Sequence, residues 1–411
     1  MTSPTDDAHG LARLRLDAAL KAGRLAGGLS RSLGRGSGTV VRGRVALAVA
    51  PDALRSLARG RHGVLVTGTN GKSTTTRLIA AALGGDVATN TTGANMAPGI
   101  LSALDDSTSP TAVLETDELH VPSVLRQTSP EVVVLLNLTR DQLDRTHEVS
   151  RTSQVWAKAL ADSGATAVAN AADPHVVDAA LAATKTVWVD PGTRWTDDAS
   201  VCPRCGHLLT WTDGRWSSGC GFAMPQPEYT LSTAGVRLPD GRHMAVPLKL
   251  PGDVNRGNAL FAIATANLFD VSADVAAARL AEVDDVDGRY ARLDLGGRPA
   301  TLFLAKNPAG WAAALSMIEE DSVLAVGINA RIADGTDTSW LYDVPFERLA
   351  GRAVGAIGDR RTDLAVRLHY AGAQPLVDGD LVRLAAKLPP GPLVVAANYT
   401  AFREMRRYVS H

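Results

Sequence analysis

Apolar residues along this chain recur in two rhythms, short β-branched runs and longer stretches with helical spacing. From residue 63 the runs "VLVTG", "TAVLET", "VVVLLNLT", "TAVANAAD" and "TVWVD" alternate with Ala-rich and Leu-rich helical stretches. That order predicts a parallel sheet with helices on both faces. Composition shifts near Pro247–Gly252 and again near Val286–Arg292, and the alternation then resumes with "ATLFLAKN", "SVLAVGIN", "AVGAIGD" and "PLVVAANYT". A second α/β unit is therefore expected to start near residue 298. On this reading a basic helical segment covers residues 1–45, an α/β domain covers 46–295 with a cysteine-bearing insertion at about 200–225, and a second α/β domain covers 296–411.

Many of the apolar runs end in a polar or acidic residue: Glu115, Asn137, Asn170, Asn307, Asn329, Asp359 and Asn398. Ligands of open parallel sheets sit beyond the carboxyl ends of the strands, so such side chains are candidates to converge on one, and two facing edges would border a cleft. Some are expected instead to cap the helix that follows. At the other end of the chain, residues 11–44 carry eight Arg or Lys and one acid, Asp17, with Leu11, Leu14, Ala18 and Leu25 at roughly helical spacing. Two readings of this segment stay open, a solvated helix face and attraction to an anionic lipid surface, where each such charge contributes about 1 kcal/mol.

Composition narrows the class. With 411 residues the chain has room for two or three domains, each with its own core. Lys plus Arg number 42 against 43 Asp plus Glu, so net charge gives no reason to expect binding to nucleic acid. No run approaches the roughly 20 apolar residues of a membrane span, and "MTSPTDDAHG" is polar and acidic rather than signal-like, so a cytoplasmic protein is expected. Three cysteines, Cys202, Cys205 and Cys220, are too few for a disulfide framework, and the Cys-x-x-Cys spacing points to metal or redox chemistry.

The most specific chemistry lies in "VLVTGTNGKSTTTRLIAAAL", residues 64–83. A strand, a glycine-bearing turn and a helix supply backbone N–H groups that face a phosphate. Gly68, Thr69, Asn70 and Gly71 would form the cradle, Lys72 would reach the outer phosphates, and the hydroxyl of Ser73 or Thr74 would bind Mg2+. The common phosphate loop has a glycine five positions before the Gly-Lys pair; here that position is Val66.

The contracted loop Gly-Thr-Asn-Gly-Lys-Ser-Thr resembles the ATP loop of the Mur ligase superfamily, which includes the folylpolyglutamate synthetases. The resemblance implies amide formation through a phosphorylated carboxylate, with Mg2+ neutralising the transferring phosphoryl group. It also implies that Glu115 in "VLETDELH" holds that ion, with Asp117 and Glu118 as outer partners. "DVNRGNALFAIATA" and "DGRYARL" are similar to the superfamily's nucleotide-binding motifs, which brings Asn255, Asn258 and Arg289 toward the adenine, ribose or phosphates. Six further segments, "TTGANMAPGI", "TRDQLDRTHEV", "VCPRCGHLL", "LAKNPAGW", "ADGTDTSWLYDVPFE" and "ANYTAF", look like the MurT family, and the likeness runs over roughly residues 40–405.

That family resemblance implies a central Mur-ligase-type ATPase domain with a cysteine ribbon and a Rossmann-like C-terminal domain. The implied activity is ATP-dependent amidation of the D-glutamate α-carboxylate of lipid II, at the cytoplasmic face of the membrane. Its ammonia would come from a GatD-type glutaminase subunit in a heterodimer. Asp337 in "ADGTDTSW" matches the aspartate that completes the partner's Cys and His pair; Asp334 and Asp343 are read as turn and cap residues. The cysteine segment departs from the pattern, because a complete site continues with Cys-x-Cys-Gly-Phe and this chain has Ser218-Gly219-Cys220-Gly221-Phe222. A zinc site with one ligand changed, with His207 as a substitute, and a metal-free ribbon held by Trp211, Trp216 and Phe222 both stay open. An autonomous amino-acid ligase and a non-catalytic scaffold are the competing functions. The intact Gly-Lys-Ser and Glu115 count against the scaffold, and "DGTDTSW" counts against self-sufficiency.

Overall fold

The computed structural model describes residues 4–34, 37–90, 94–140, 149–192, 196, 198–233, 235–284, 290–319 and 321–409, with side chains from Leu11 onward. Runs of Val, Leu and Ala with no polar interruption fit a sheet covered by helices on both faces, and the first unit, Met1–Leu138 with Ser150–Asp284, is built that way. It contains β1 (His62–Thr67), β2 (Ala88–Thr89), β3 (Thr111–Glu115), β4 (Val132–Leu135), β5 (Thr166–Asn170) and β6 (Lys185–Asp190). These run parallel in the spatial order β6, β5, β4, β1, β3, β2. The register sets Val66 of β1 beside Glu115 of β3, so Glu115 stands next to the strand that feeds the glycine loop.

Beyond β6 the sheet continues in a way the hydrophobic runs did not announce. β7 (Thr210–Thr212) and β8 (Arg215–Ser217) pair with each other in the cysteine ribbon. β9 (Tyr229–Ser232) joins β6 in parallel, and β10 (Gly235–Arg237) and β11 (His243–Met244) add an antiparallel edge. Strands of two to four residues are too short to display a period of two, which is why the sequence shows no sign of this edge.

The second unit takes in Thr139–Val149 and Asp285–His411. Its sheet comprises β12 (Tyr290–Asp294), β13 (Pro299–Leu304), β14 (Val323–Gly327), β15 (Ala353–Ile357), β16 (Gln374–Val377) and β17 (Leu393–Ala397). The spatial order is β12, β13, β17, β14, β15, β16, parallel except for β12. The four expected strands form the middle, and β12 and β16 are added edges. One face of this sheet packs on Trp311, Trp340 and Phe346, the other on Leu384, Phe402 and Met405.

At the N-terminus, α1 (Pro4–Ser32) packs on α2 (Thr39–Val49), and Arg24 and Arg42 tie both helices to Asp105. Leu11, Leu14, Ala18 and Leu25 lie on the exposed side, and the buried side is Ala19, Leu20, Gly23, Gly27 and Ser30. Among the described residues no helix is long and apolar enough to cross a membrane.

Candidate active site

β1 delivers the chain to a loop that closes on the helix Lys72–Leu83. Gly71 has φ 88°, and a Cβ there would stand 3.0 Å from Asn258 Oδ1, so conformation and space both call for glycine. Its lack of a side-chain cap leaves the first N–H groups of the helix facing outward, the ordinary arrangement for anion binding. Asn137, just past β4, fastens the loop: its Oδ1 accepts from Asn70 N at 2.8 Å, its Nδ2 donates to Asn70 O at 3.0 Å, and its carbonyl accepts from Thr69 N at 3.0 Å. Lys72 Nζ folds back onto Gly68 O at 2.5 Å and Thr69 O at 3.2 Å, and lies 3.3 Å from both oxygens of Glu118. Trp156 Nε1 donates to Glu118 O at 2.9 Å and so steadies that backbone.

Glu115 ends β3 beside Val66, two residues before the loop. It is 1 % exposed, and its Oε2 is buried with no hydrogen-bond partner. Asn90 frames it on the backbone, accepting from Glu115 N at 2.8 Å and donating to Glu115 O at 2.9 Å. Leaving a carboxylate oxygen unpaired in such a place costs about 1–3 kcal/mol or more. A divalent cation held between Glu115 and the hydroxyl of Ser73 would satisfy it, so these residues fit Mg2+.

The other strand-end residues behave differently. Asn307 caps the helix Pro308–Ser316 by accepting from Gly310 N at 2.9 Å. Asn170 accepts from Ala172 N at 2.9 Å and donates to Leu136 O at 2.8 Å. In the second unit Asn398 and Asn329 exchange bonds of 3.0 and 2.6 Å, and Asn329 accepts from Asp359 N at 2.8 Å, so these three brace neighbouring strand ends. Of the seven, Glu115 alone keeps a buried side-chain oxygen without a partner.

The helix Asp253–Asn267 brings buried Asn258 against Gly71, whereas Asn255 turns its Nδ2 back to Pro251 O at 2.7 Å. Arg289 lies outside the described residues, as do 91–93 of "TTGANMAPGI" and 141–148 of "TRDQLDRTHEV". Asn90 escaped the sequence reading, because it follows a two-residue strand and nothing local marks it.

In the second unit Asp337 is exposed, and its Oδ1 accepts from Ser339 N at 2.8 Å, which holds its carboxyl below the usual carboxylate range. Exposed Ile332 and Tyr342 stand close by in sequence. Asp334 is buried and accepts from Thr400 N at 2.8 Å, a structural role as expected. Asp343 pairs with Arg140 at 3.4 Å.

In the ribbon the Sγ atoms of Cys202, Cys205 and Cys220 all lie within 4.8 Å of one another. Cys202 and Cys220 are 3.8 Å apart, the edge of a tetrahedron with metal–sulfur bonds of about 2.3 Å. Ser218 Oγ takes the fourth corner, 3.2 Å from Cys205 and 3.5 Å from Cys220. Hydrogen bonding to Ser218, then to the His207 N–H and ring, pulls the Cys205 thiol down to about 5. The donor set fits zinc through three thiolates. Beneath it Trp216, Phe222, Met224 and Val177 form an apolar cluster, with Trp216 and Phe222 at 4.9 Å between ring centres.

Comparison with known proteins gives two family matches, the Mur ligase middle domain over residues 66–196 and the MurT ligase C-terminal domain over residues 304–402. The chain is 31 % identical to the lipid II isoglutaminyl synthase (glutamine-hydrolyzing) subunit MurT of Staphylococcus aureus, over 94 % of this chain and 96 % of that one. It is 30 % identical to the subunit of the same name from Streptococcus pneumoniae, over 97 % of each. Among solved structures, the pseudomurein peptide ligase type C of Methanothermus fervidus superposes with a TM-score of 0.70 at 17 % identity, covering 87 % of this chain and 80 % of that one, a likeness of fold.

Proposed function

The chain belongs to the MurT family of Mur-ligase-like enzymes, and from that premise we propose that it is the ATP-dependent ligase subunit of a lipid II isoglutaminyl synthase in peptidoglycan synthesis. The observation that carries the reading is the orphaned, buried Oε2 of Glu115 one strand away from the glycine loop. Magnesium and ATP, when bound, supply an electrophilic γ-phosphoryl group for a substrate carboxylate. That carboxylate would be the D-glutamate α-carboxylate of lipid II: its oxygen would take the phosphoryl group as ADP leaves, and ammonia would displace phosphate from the acyl phosphate, losing a proton, to leave the carboxamide.

The chain's own residues then have separate tasks. The N–H groups of Gly71, Lys72 and Ser73 orient the polyphosphate, since those of Thr69 and Asn70 are held by Asn137, and Lys72, released from Gly68 O and Thr69 O, turns to its outer charge. Glu115 and Ser73 hold the cation, Glu118 balances Lys72, and Asn258 lines the loop beside Gly71. Thr74 is buried behind Ser73, which favours Ser73 as the hydroxyl ligand. Asn255 and Arg289 are assigned to the nucleotide on the family likeness. Asp337, ionised and exposed, suits the orienting carboxylate of a glutaminase partner's Cys and His pair, and exposed Ile332 and Tyr342 suit a contact surface around it. The ribbon cysteines would hold a structural zinc with Ser218 at its fourth corner.

Mass spectrometry of lipid II after incubation with the chain, Mg-ATP and ammonium, with and without a GatD-type subunit and glutamine, tests the reading. Amidation with ammonium alone is expected. No conversion under either condition, with a gain on adding an amino acid, would establish the autonomous ligase instead. For the interface, Asp337→Asn is expected to leave ammonium-driven amidation intact and to cut glutamine-driven amidation by about 10²-fold or more; equal rates from glutamine would remove Asp337 from the triad.

A further inference from the structure

α1 presents two opposite faces. Its inner face, Ala19, Leu20, Gly23, Gly27 and Ser30, is buried. Its outer face carries Leu11, Leu14, Leu25 and Leu29 at 68, 67, 77 and 63 % exposure, and Leu33 just beyond continues the row. At about 100° per residue, positions 11, 14, 18, 22, 25 and 29 fall on one stripe, all of them Leu or Ala, bordered by Arg15 on one side and Lys21 on the other. In α2, Val41 and Val49 are exposed as well.

This stripe belongs to a fastened element. Arg24 binds Asp105 through Nε at 3.0 Å and Nη2 at 2.5 Å, Arg42 binds Asp105 and, at 2.6 Å, Asp106, and Arg15 Nε donates to Val49 O at 2.8 Å. Arg31 Nη1 likewise donates to Ser37 O at 3.3 Å, while Arg13, Lys21 and Arg44 are exposed, and none of Arg13, Arg15, Lys21, Arg31 and Arg44 makes an ion pair among the described residues. Residues 11–44 hold eight basic residues and one acid in a chain whose net charge is -1.

We propose that the outer face of this hairpin docks on an anionic lipid bilayer, with the leucines at the acyl boundary and the cations among the headgroups. An apolar stripe edged by Arg and Lys on a helix too polar to span is the form that lies in a membrane interface. A second copy of the chain fits less well. A coiled-coil seam along this stripe, through Leu11, Ala18, Ala22, Leu25 and Leu29, would place Arg15 and Ser32 at core positions, and two such faces would oppose like charges. The inference stands apart from the amidation reading, since it requires neither nucleotide nor lipid II.

The test is flotation of the full chain, without nucleotide, with vesicles of equimolar phosphatidylglycerol and phosphatidylcholine or of phosphatidylcholine alone. Binding to the anionic vesicles only, weakened by salt, is expected. The double variant Leu25→Ser, Leu29→Ser replaces exposed side chains and is expected to lower the bound fraction at least about tenfold with unchanged circular dichroism. Lys21→Glu is expected to lower it severalfold. Binding to neither vesicle, equal binding to both, or a double variant that floats like the parent would overturn the proposal; a parent dimer that the double variant converts to monomer, with no flotation, would assign the face to a second copy.

Discussion

The glycine loop and the cysteine ribbon each gather candidate cation ligands within one unit of the chain, and they do so on different terms. Around the loop, polar groups are buried at a cost: Glu115 is 1 % exposed with an oxygen unpaired, and Asn90 and Asn137 are consumed in holding backbone. In the ribbon exposure is graded: Cys202 is buried in one apolar cluster with Trp216, Phe222 and Met224, Cys205 is half-buried and Cys220 is exposed. An unpaired buried carboxylate costs stability, which fits the proposed role of Glu115 in holding a cation. Where the ion is structural, packing can take over part of its work, and a changed ligand such as Ser218 can persist.

The largest test of this contrast is Glu115→Gln. Ammonium-driven amidation is expected to fall by about 10²–10³-fold, the usual loss when one electrostatic group is removed from a reacting site. Thermal stability is expected to hold or rise, because an amide in that pocket is less costly than an unpaired carboxylate oxygen. Steady-state kinetics and a melting curve on the same preparation decide it. Activity near the parent's, or a melt that drops sharply, would mean that Glu115 serves the fold rather than the cation.

A pair of matched substitutions sharpens the comparison. Gly71 and Gly221 both have left-handed backbone, φ 88° and 84°, so alanine strains each by roughly 1–2 kcal/mol. They differ in surroundings: a Cβ on Gly71 meets Asn258 at 3.0 Å, and a Cβ on Gly221 meets nothing within 4 Å. Gly71→Ala is expected to weaken ATP binding, read by calorimetry, by about tenfold or more, since each 1.4 kcal/mol is a factor of ten. Gly221→Ala is expected to leave ATP affinity and amidation unchanged. Equal effects on ATP would erase the distinction between the two regions.

Much of this was legible in the sequence, for identifiable reasons. The parallel strands show because both of their faces are buried, which writes unbroken Val and Leu runs into the chain. The loop shows because Gly71, Lys72 and Ser73 have few substitutes in their roles. Asn90 did not show, because its importance comes from pairing with a strand end 25 residues away. Nor did the orientation of α1, whose buried face is made of Ala, Gly and Ser and looks less hydrophobic than its outer face. Close helix contact selects small residues there, and hydrophobicity alone points to the wrong side.

The smallest expected effect concerns Ser218. A hydroxyl at the fourth corner is a poor zinc ligand beside three thiolates, so the parent is expected to hold zinc weakly and to surrender it to a chelator. Ser218→Cys supplies a fourth thiolate at a position whose hydroxyl already stands 3.2 Å from Cys205 and 3.5 Å from Cys220. Zinc release to a colorimetric chelator is expected to slow by roughly tenfold or more in the variant, with the melting temperature raised in zinc and amidation unchanged. If the variant binds no zinc, the ribbon is an apolar module that has left metal behind. If amidation changes with zinc content in either protein, the ribbon reaches the loop's chemistry, and the separation of the two regions on which the other predictions rest is wrong.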